Sequence, residues 1–338
     1  MKAWELQDYG MDNLKRVEVP TPEPGPNELL VRVSAASLNY RDKAIVDGNL
    51  RPGGLSMPFI PVSDAVGIVE ATGPGVTRFG PGARVTTHLY SRWIEGEPAP
   101  DEGDRHCFGG PLPGGLAEFM IIPEDSAVEA PASLTDAEAA TLPIAALTAW
   151  FSLVVRGGLK GGETVLVQGT GGVSIFAVQI ASAMGARVIA TSSGDEKLAR
   201  VKALGATDGI NYSKTPEWQD LARKLTGDRG VDHVLDVVGG ESIGRSIQAA
   251  RIGGHIAVIG FLGGRMANID LVPLMLRKSR LQGSSTGHRK AFEAMNQFIE
   301  ERAIKPVIDS IYPFSDAIKA FEHLGRGAFG KVVIDVAG

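Results

Sequence analysis

The sequence predicts an α/β protein in which a doubly wound parallel sheet is joined to a smaller β-rich domain. Three observations point there. After Thr135, apolar runs of strand length alternate with segments of helical period, the pattern of right-handed crossovers onto parallel strands. A glycine-rich turn stands between one of those runs and the helix behind it. Residues 1–125 read differently, as short β segments cut by Pro and Gly. A chain of 338 residues leaves room for two domains of ~100–200 residues each.

In the β-rich part, residues 29–33 (LLVRV) follow a Pro-rich entry at Pro20, Pro22, Pro24 and Pro26, and residues 67–71 (GIVEA) are closed by Gly73-Pro74-Gly75. Residues 93–115 are rich in Pro, Gly and acids with no usable apolar period, which predicts a lid, arm or insertion. Residues 139–155 are uncharged but interrupted by Thr141, Pro143, Thr148 and Ser152. They fall short of the ~20 apolar residues that span a bilayer and predict a buried helix, so no membrane partner is expected.

The alternation then runs in order. Strands are predicted at 164–168, 187–191, 209–212, 231–238, 255–260 and 281–284, with helices at 173–184, 195–204 and 242–250. Six strands of this kind make a doubly wound nucleotide-binding domain.

Charge and cysteine content bound the function. Lys plus Arg number 34 against 39 Asp plus Glu, a net charge of -5 that gives nucleic acid no overall electrostatic handle. Cys107 is the single cysteine, so neither a disulfide framework nor a cysteine-rich zinc lobe can form, and a reducing, cytoplasmic setting is expected. Residues 1–6 lack the features of a secretory signal, so export is not expected.

The sharpest local signal is Gly169-Thr170-Gly171-Gly172-Val173-Ser174. Glycine at a strand–helix junction permits a tight turn and lets backbone N–H groups approach a pyrophosphate, whose charge the helix N-terminus favours. Ser174 replaces the third glycine and is still small enough for close helix–strand packing. A site selective for NAD usually places a carboxylate at the end of the second strand. Here Thr191, Ser192 and Ser193 stand there, with Lys197 one helical turn on. Hydroxyls and an ammonium suit a 2′-phosphate, and NADP(H) is the expected cofactor.

With these motifs in place, the chain resembles the medium-chain dehydrogenase/reductase superfamily, in its zinc-free quinone oxidoreductase-like branch. The residues that carry the resemblance are the segment 67–85, the segment 37–42 (SLNYRD), the set Ser192, Lys197 and Tyr212, and the closing Gly330-Lys331-Val332-Val333-Ile334. The resemblance implies a discontinuous GroES-like domain, residues 1–127 and 302–338, around a Rossmann domain, residues 128–301, with the nicotinamide in a cleft between them. It implies cofactor contacts from Asn39 and Thr148 near the nicotinamide, from Gly169, Thr170, Gly171, Gly172 and Val173 at the turn, and from Ser192, Ser193, Lys197 and Tyr212 at the 2′-phosphate. Val238, Gly239, Gly260, Phe261, Ser284, Ser285 and Lys331 complete that set. Homodimers or homotetramers are implied as well.

Zinc-dependent relatives carry a Cys within the segment matched by 37–42 and a His-Glu pair where this chain has Val62-Ser63-Asp64; both are missing. His88, His106 and Cys107 form no ligand pattern, and no metal is expected. Without a Lewis acid, charge on the acceptor oxygen must be met by hydrogen-bond donors. An enone or quinone spreads that charge and is the expected substrate, with a metal-free alcohol dehydrogenase or aldehyde reductase, or a non-catalytic NADPH-binding module, as alternatives. Tyr40 is the candidate proton donor, Asn39 the residue that orients cofactor or substrate, and Asp42 the residue that holds the loop. No Tyr has a Lys four residues on, which sets aside short-chain reductase chemistry. His233, His255 and His323 read as structural or surface histidines.

Overall fold

The computed structural model describes residues 1–50, 54–98 and 106–338. In chain order, β1 (Lys2–Leu6) and β2 (Leu14–Glu18) pair antiparallel, followed by β3 (Glu28–Leu38), α1 (Tyr40–Val46), β4 (Asp64–Thr72), β5 (Arg84–Thr87), β6 (Phe119–Pro123) and β7 (Ala127–Glu129). After α2 (Asp136–Ala139) and α3 (Leu147–Trp150), the chain alternates through β8 (Thr164–Gln168), α4 (Gly172–Ala183), β9 (Arg187–Ser192), α5 (Asp195–Ala203) and β10 (Asp208–Asn211). It continues with α6 (Trp218–Leu225), β11 (Val231–Asp236), α7 (Ser242–Ala249), β12 (Ala250–Val258), α8 (Leu271–Arg277) and β13 (Arg280–Gly283). The last elements are α9 (Arg289–Glu301), β14 (Ile308–Pro313), α10 (Ala317–Arg326) and β15 (Lys331–Asp335).

These elements form two compact units, Met1–Leu147 with His288–Gly338, and Thr148–Gly287. The first is built on a seven-stranded sheet of order β14-β15-β3-β4-β5-β7, with β6 also paired to β3. β3 is its longest strand, and its buried Leu29, Val31, Val33 and Ala36 join Val332 and Ile334 of β15 in one core. The unit takes back the chain at His288, earlier than the 302 expected from the sequence. The reason is α9: Asn296 donates to the Glu129 carbonyl at 3.1 Å, and Phe292 lies fully buried beside His88.

The second unit holds one parallel sheet of order β10-β9-β8-β11-β12-β13. All six predicted strands are present. The order reverses at β8, so the crevice beyond the carboxyl ends of β8 and β11 is the switch point at which ligands bind such sheets. Val165, Leu166 and Val167 of β8 are fully buried, as a strand covered by helices on both faces requires.

Two expectations change. The uncharged run 139–155 is not one regular helix: wide π-type turns occupy Leu142–Ala146 and Phe151–Arg156 on either side of α3, where Pro143 can donate no backbone hydrogen bond. Of the segment 93–115, residues 99–105 lie outside the described residues; its flanks are core, with Trp93, Cys107 and Phe108 buried and Cys107 bridged to Tyr90. Aromatic packing, which leaves no periodic trace in a Pro/Gly-rich stretch, accounts for that. Among the described residues, no helix is long and apolar enough to cross a membrane.

Candidate active site

In the second unit the predicted cofactor residues gather along one edge. Gly169 follows β8, Ser192 ends β9, Tyr212 follows β10, Val238 and Gly239 lie beyond β11, Gly260 and Phe261 beyond β12, and Ser284 and Ser285 directly follow β13. All therefore stand at the carboxyl ends of the parallel strands. Gly169 has φ +72, the left-handed backbone that lets the chain turn straight from β8 toward α4. Gly171 caps α4 without any side-chain hydrogen bond, so the first-turn N–H groups of Gly172 and Val173 have no side-chain acceptor. A Cβ on Gly171 would meet nothing within 4 Å. Thr170 is buried, and Ser174 donates its hydroxyl to the Gln168 carbonyl at 2.7 Å, which ties the helix to the strand.

At the end of β9, Ser192 is buried and its carbonyl accepts from the Tyr212 N–H at 3.0 Å. Ser193 is exposed, Lys197 sits in the first turn of α5, and Tyr212 is 43% exposed. Of the two carboxylates in the first turn of α5, Asp195 and Glu196, the first is taken up by Asn211 and Lys214, which hold its carboxyl below the usual range.

The edge also has a support that the sequence reading missed. Asp236, fully buried at the end of β11, accepts from the N–H groups of Val238 at 3.1 Å and Gly239 at 2.8 Å through one oxygen, and from the Ser246 hydroxyl at 2.6 Å through the other. Gln168 donates to Asp236, Ser242 and Ser246. An Asp placed three residues before the glycine pair Gly239-Gly240 was the available signal. Thr148 is buried in α3, and Ser284 shares a 2.6 Å hydrogen bond with Ser152.

The first unit assembles a second cluster where β3 gives way to α1. Asn39 is the N-cap of α1, and its backbone N–H donates to Asp42 Oδ2 at 2.8 Å in a capping box. Asp42 Oδ1 accepts from the Ser63 N–H at 3.3 Å. Tyr40, at the first position of α1, is 46% exposed. Val62 is buried with φ +75, a conformation that costs a β-branched residue about 1–3 kcal/mol. It turns Ser63 and Asp64 into the cluster: Ser63 donates to Asp64 Oδ1 at 3.0 Å, and the Ile144 N–H to Asp64 Oδ2 at 3.2 Å.

Lys331 completes the cluster from β15. Its ammonium, 3% exposed, donates to the Leu38 carbonyl at 2.8 Å and Asn39 Oδ1 at 2.6 Å, and lies 3.8 Å from Asp64 Oδ2. Burial pushes the Asp42 carboxyl up to about 6 against the pull of Arg41, and raises Asp64 against the pull of Lys331. Burial also lowers Lys331, which the two carboxylates oppose. Among the described residues, no three His, Cys, Asp or Glu side chains come together as a metal-holding group.

Two family descriptions match the chain: an alcohol dehydrogenase GroES-like domain over residues 25–132 and a zinc-binding dehydrogenase over residues 172–301. A zinc-type alcohol dehydrogenase-like protein of Schizosaccharomyces pombe is 39% identical over 97% of this chain and 96% of its own length. The quinone oxidoreductase of Sus scrofa is 29% identical over 99% and 97%. Among solved structures, a protein of Sinorhizobium meliloti 1021 provisionally named an alcohol dehydrogenase superposes with a TM-score of 0.94 at 45% identity, covering 99% of this chain and 98% of that one. An NAD-dependent alcohol dehydrogenase gives 0.89 at 34% identity, covering 99% and 100%. A 2-octenoyl-CoA carboxylase reductase held with NADP and 2-octenoyl-CoA gives 0.87 at 27%, covering 98% and 87%. Glycine turn, sheet order and relatives agree, and the chain belongs to the medium-chain dehydrogenase/reductase superfamily of oxidoreductases.

Proposed function

We propose that this protein is an NADPH-dependent, zinc-free reductase that delivers hydride to a quinone or an α,β-unsaturated carbonyl compound. The observation that carries the reading is the end of β9, where Ser192, Ser193, Lys197 and Tyr212 offer hydroxyls and an ammonium while the neighbouring carboxylate of Asp195 is held by Asn211 and Lys214. That set suits a dianionic 2′-phosphate better than a ribose hydroxyl. The turn 169–173 suits the pyrophosphate, and the loops at Val238, Gly239, Gly260, Phe261, Ser284 and Ser285 suit the length of a dinucleotide along the sheet edge.

One matching family description carries zinc, and the first unit does not fit it. Asn39 and Ser63 offer an amide and a hydroxyl, Asp64 is engaged by Ser63 and Ile144, and the Lys331 ammonium stands in the cluster as a competing cation. Bound NADPH supplies the hydride. The remaining tasks fall to the chain: Tyr40, half exposed on α1, is the proposed proton donor to the reduced acceptor, Asn39 orients cofactor or substrate, and Asp42 holds the α1 corner against Ser63. An acceptor that spreads its charge over an enolate or hydroquinone asks less of such neutral donors than a simple aldehyde does.

Self-association belongs to the same reading. α8 leaves Leu271, Val272, Met275 and Leu276 exposed, Met266 is 86% exposed, and β13 is paired on one side only, which supports a second copy as the partner. The lone, buried Cys107 supports a reducing compartment such as the cytoplasm.

The test is NADPH oxidation by chelator-treated protein with a quinone, a 2-alkenal and a saturated aldehyde in parallel, each repeated with NADH. Turnover of the two unsaturated acceptors with NADPH, reduced by Tyr40→Phe, is the expected result. Activity that returns only with added zinc, or that favours the saturated aldehyde, would replace this reading with an alcohol dehydrogenase.

A further inference from the structure

Lys331 is an unusual residue to bury. Val332 pairs with Leu38 across the β15–β3 ladder, which brings Lys331 opposite Asn39 at the corner where strand becomes helix. Its three N–H donors face Leu38 O, Asn39 Oδ1 and Asp64 Oδ2. A cofactor phosphate could reach it only by displacing one of them. Stability alone does not call for the charge, because buried ion pairs are often replaceable by apolar side chains without loss.

The effect on Asn39 is specific. With Oδ1 held by the ammonium, the amide end is turned toward Asp64, whose charge it eases, although Nδ2 makes no full hydrogen bond. A flipped carboxamide would set N–H against ammonium and oxygen against carboxylate. Lys331 and Asp64 therefore leave Asn39 one orientation.

We propose that Lys331 is a positioning residue, which acts by fixing the carboxamide of Asn39 and makes no contact with a cofactor phosphate. The inference rests on the reading of Asn39 as part of the reductase site. It goes beyond that reading by separating Lys331 from the cofactor contacts among which the family resemblance had put it.

The experiment is a mutant cycle in an Asp64→Asn background, where Lys331→Met strands no Asp64 carboxylate and Asp42 keeps Arg41 at 3.8 Å. Against D64N, the D64N/K331M protein should keep its melting temperature and bind NADPH within about threefold, yet lose about tenfold to a hundredfold in turnover, the size of effect that a misplaced site residue produces. Adding Asn39→Ala should abolish that difference, because the path through Asn39 is then already broken. Weakened NADPH binding that persists in the N39A background would overturn the proposal in favour of a direct phosphate contact. Equal turnover of D64N and D64N/K331M would overturn it in favour of simple charge balance. Should the wild-type protein reduce none of the acceptors, the reductase reading fails separately, and the Asn39 side-chain amide signal in 15N-asparagine-labelled protein decides instead. A shifted or doubled signal in D64N/K331M relative to D64N supports the positioning role, and an unchanged one overturns it.

Discussion

Gly260 and Gly171 both line the carboxyl edge of the parallel sheet, and they are glycine for opposite reasons. A Cβ on Gly260 would sit 2.0 Å from the Val237 carbonyl oxygen and 2.7 Å from its carbon, so neighbouring backbone forbids it. Gly260→Ala should cost about 3 kcal/mol or more, since two loops must part. Around Gly171 there is space, and its φ of -79° suits alanine. Gly171→Ala should stay within about 1 kcal/mol of wild-type stability, the balance of a small capping loss and a stiffer unfolded chain. Its added methyl occupies the approach to the helix N-terminus, and NADPH affinity should fall about tenfold, or 1.4 kcal/mol. Urea unfolding and fluorescence titration of both variants check the pair; a stable G260A, or a G171A that binds as wild type does, contradicts the account.

At the scale of elements, the end of β9 and the outer face of α8 make separate predictions. Ser192→Asp puts a carboxylate where the ribose of an NAD-type site is held, so NADPH should bind at least about tenfold more weakly while NADH gains. Preference unchanged in titrations with both nucleotides would show that the 2′-phosphate lies elsewhere. On α8, Met275→Glu with Leu276→Glu places two charges on an exposed apolar face 71% and 72% open to solvent. Sedimentation should show a wild-type dimer or tetramer and a variant shifted to monomer with an unchanged circular dichroism spectrum. A variant that sediments with the wild type moves the interface to another face.

For the molecule as a whole, pH sets two buried groups against each other. His255 lies across the β11–β12 ladder from His233; burial, with His233 and Arg280 nearby, pushes its imidazole down to about 4. The unfolded chain binds this proton below about 6.5, so the contribution is full above that pH and is lost as pH falls to about 4, a change of about 3 kcal/mol. Asp42 works in the other sense: held up to about 6 by burial, it favours the folded state below its unfolded value of 3.8, and that contribution, again about 3 kcal/mol, is lost as pH rises through 6. Asp64, also raised, adds to the side of Asp42. Urea unfolding from pH 4 to 6.5 should therefore find that His255→Gln removes a loss on the acid side, whereas Asp42→Asn makes the acid side steeper. Parallel curves for wild type and both variants would refute this assignment.

The strands were legible because their signals are local. Thr164–Gln168 is a buried apolar run bounded by glycines, and Gly169 to Ser174 is a turn of fixed chemistry, so strand, turn and helix could each be read within ten residues. The helix expected at 139–155 failed because composition does not report hydrogen-bond spacing around Pro143, and the flanks of 93–115 failed because three aromatic and sulfur side chains bury without a period. What the sequence by itself determined is the parallel sheet, the glycine turn between β8 and α4 and the residues at the end of β9, since backbone conformation and short-range charge depend on near neighbours. Only the tertiary structure decided the partners of Asn39. Lys331 reaches it from 292 residues away through the β15–β3 ladder, and Asp64 comes from a third strand. A burial that turns three ordinary charges into one interdependent cluster exists only once those strands have met.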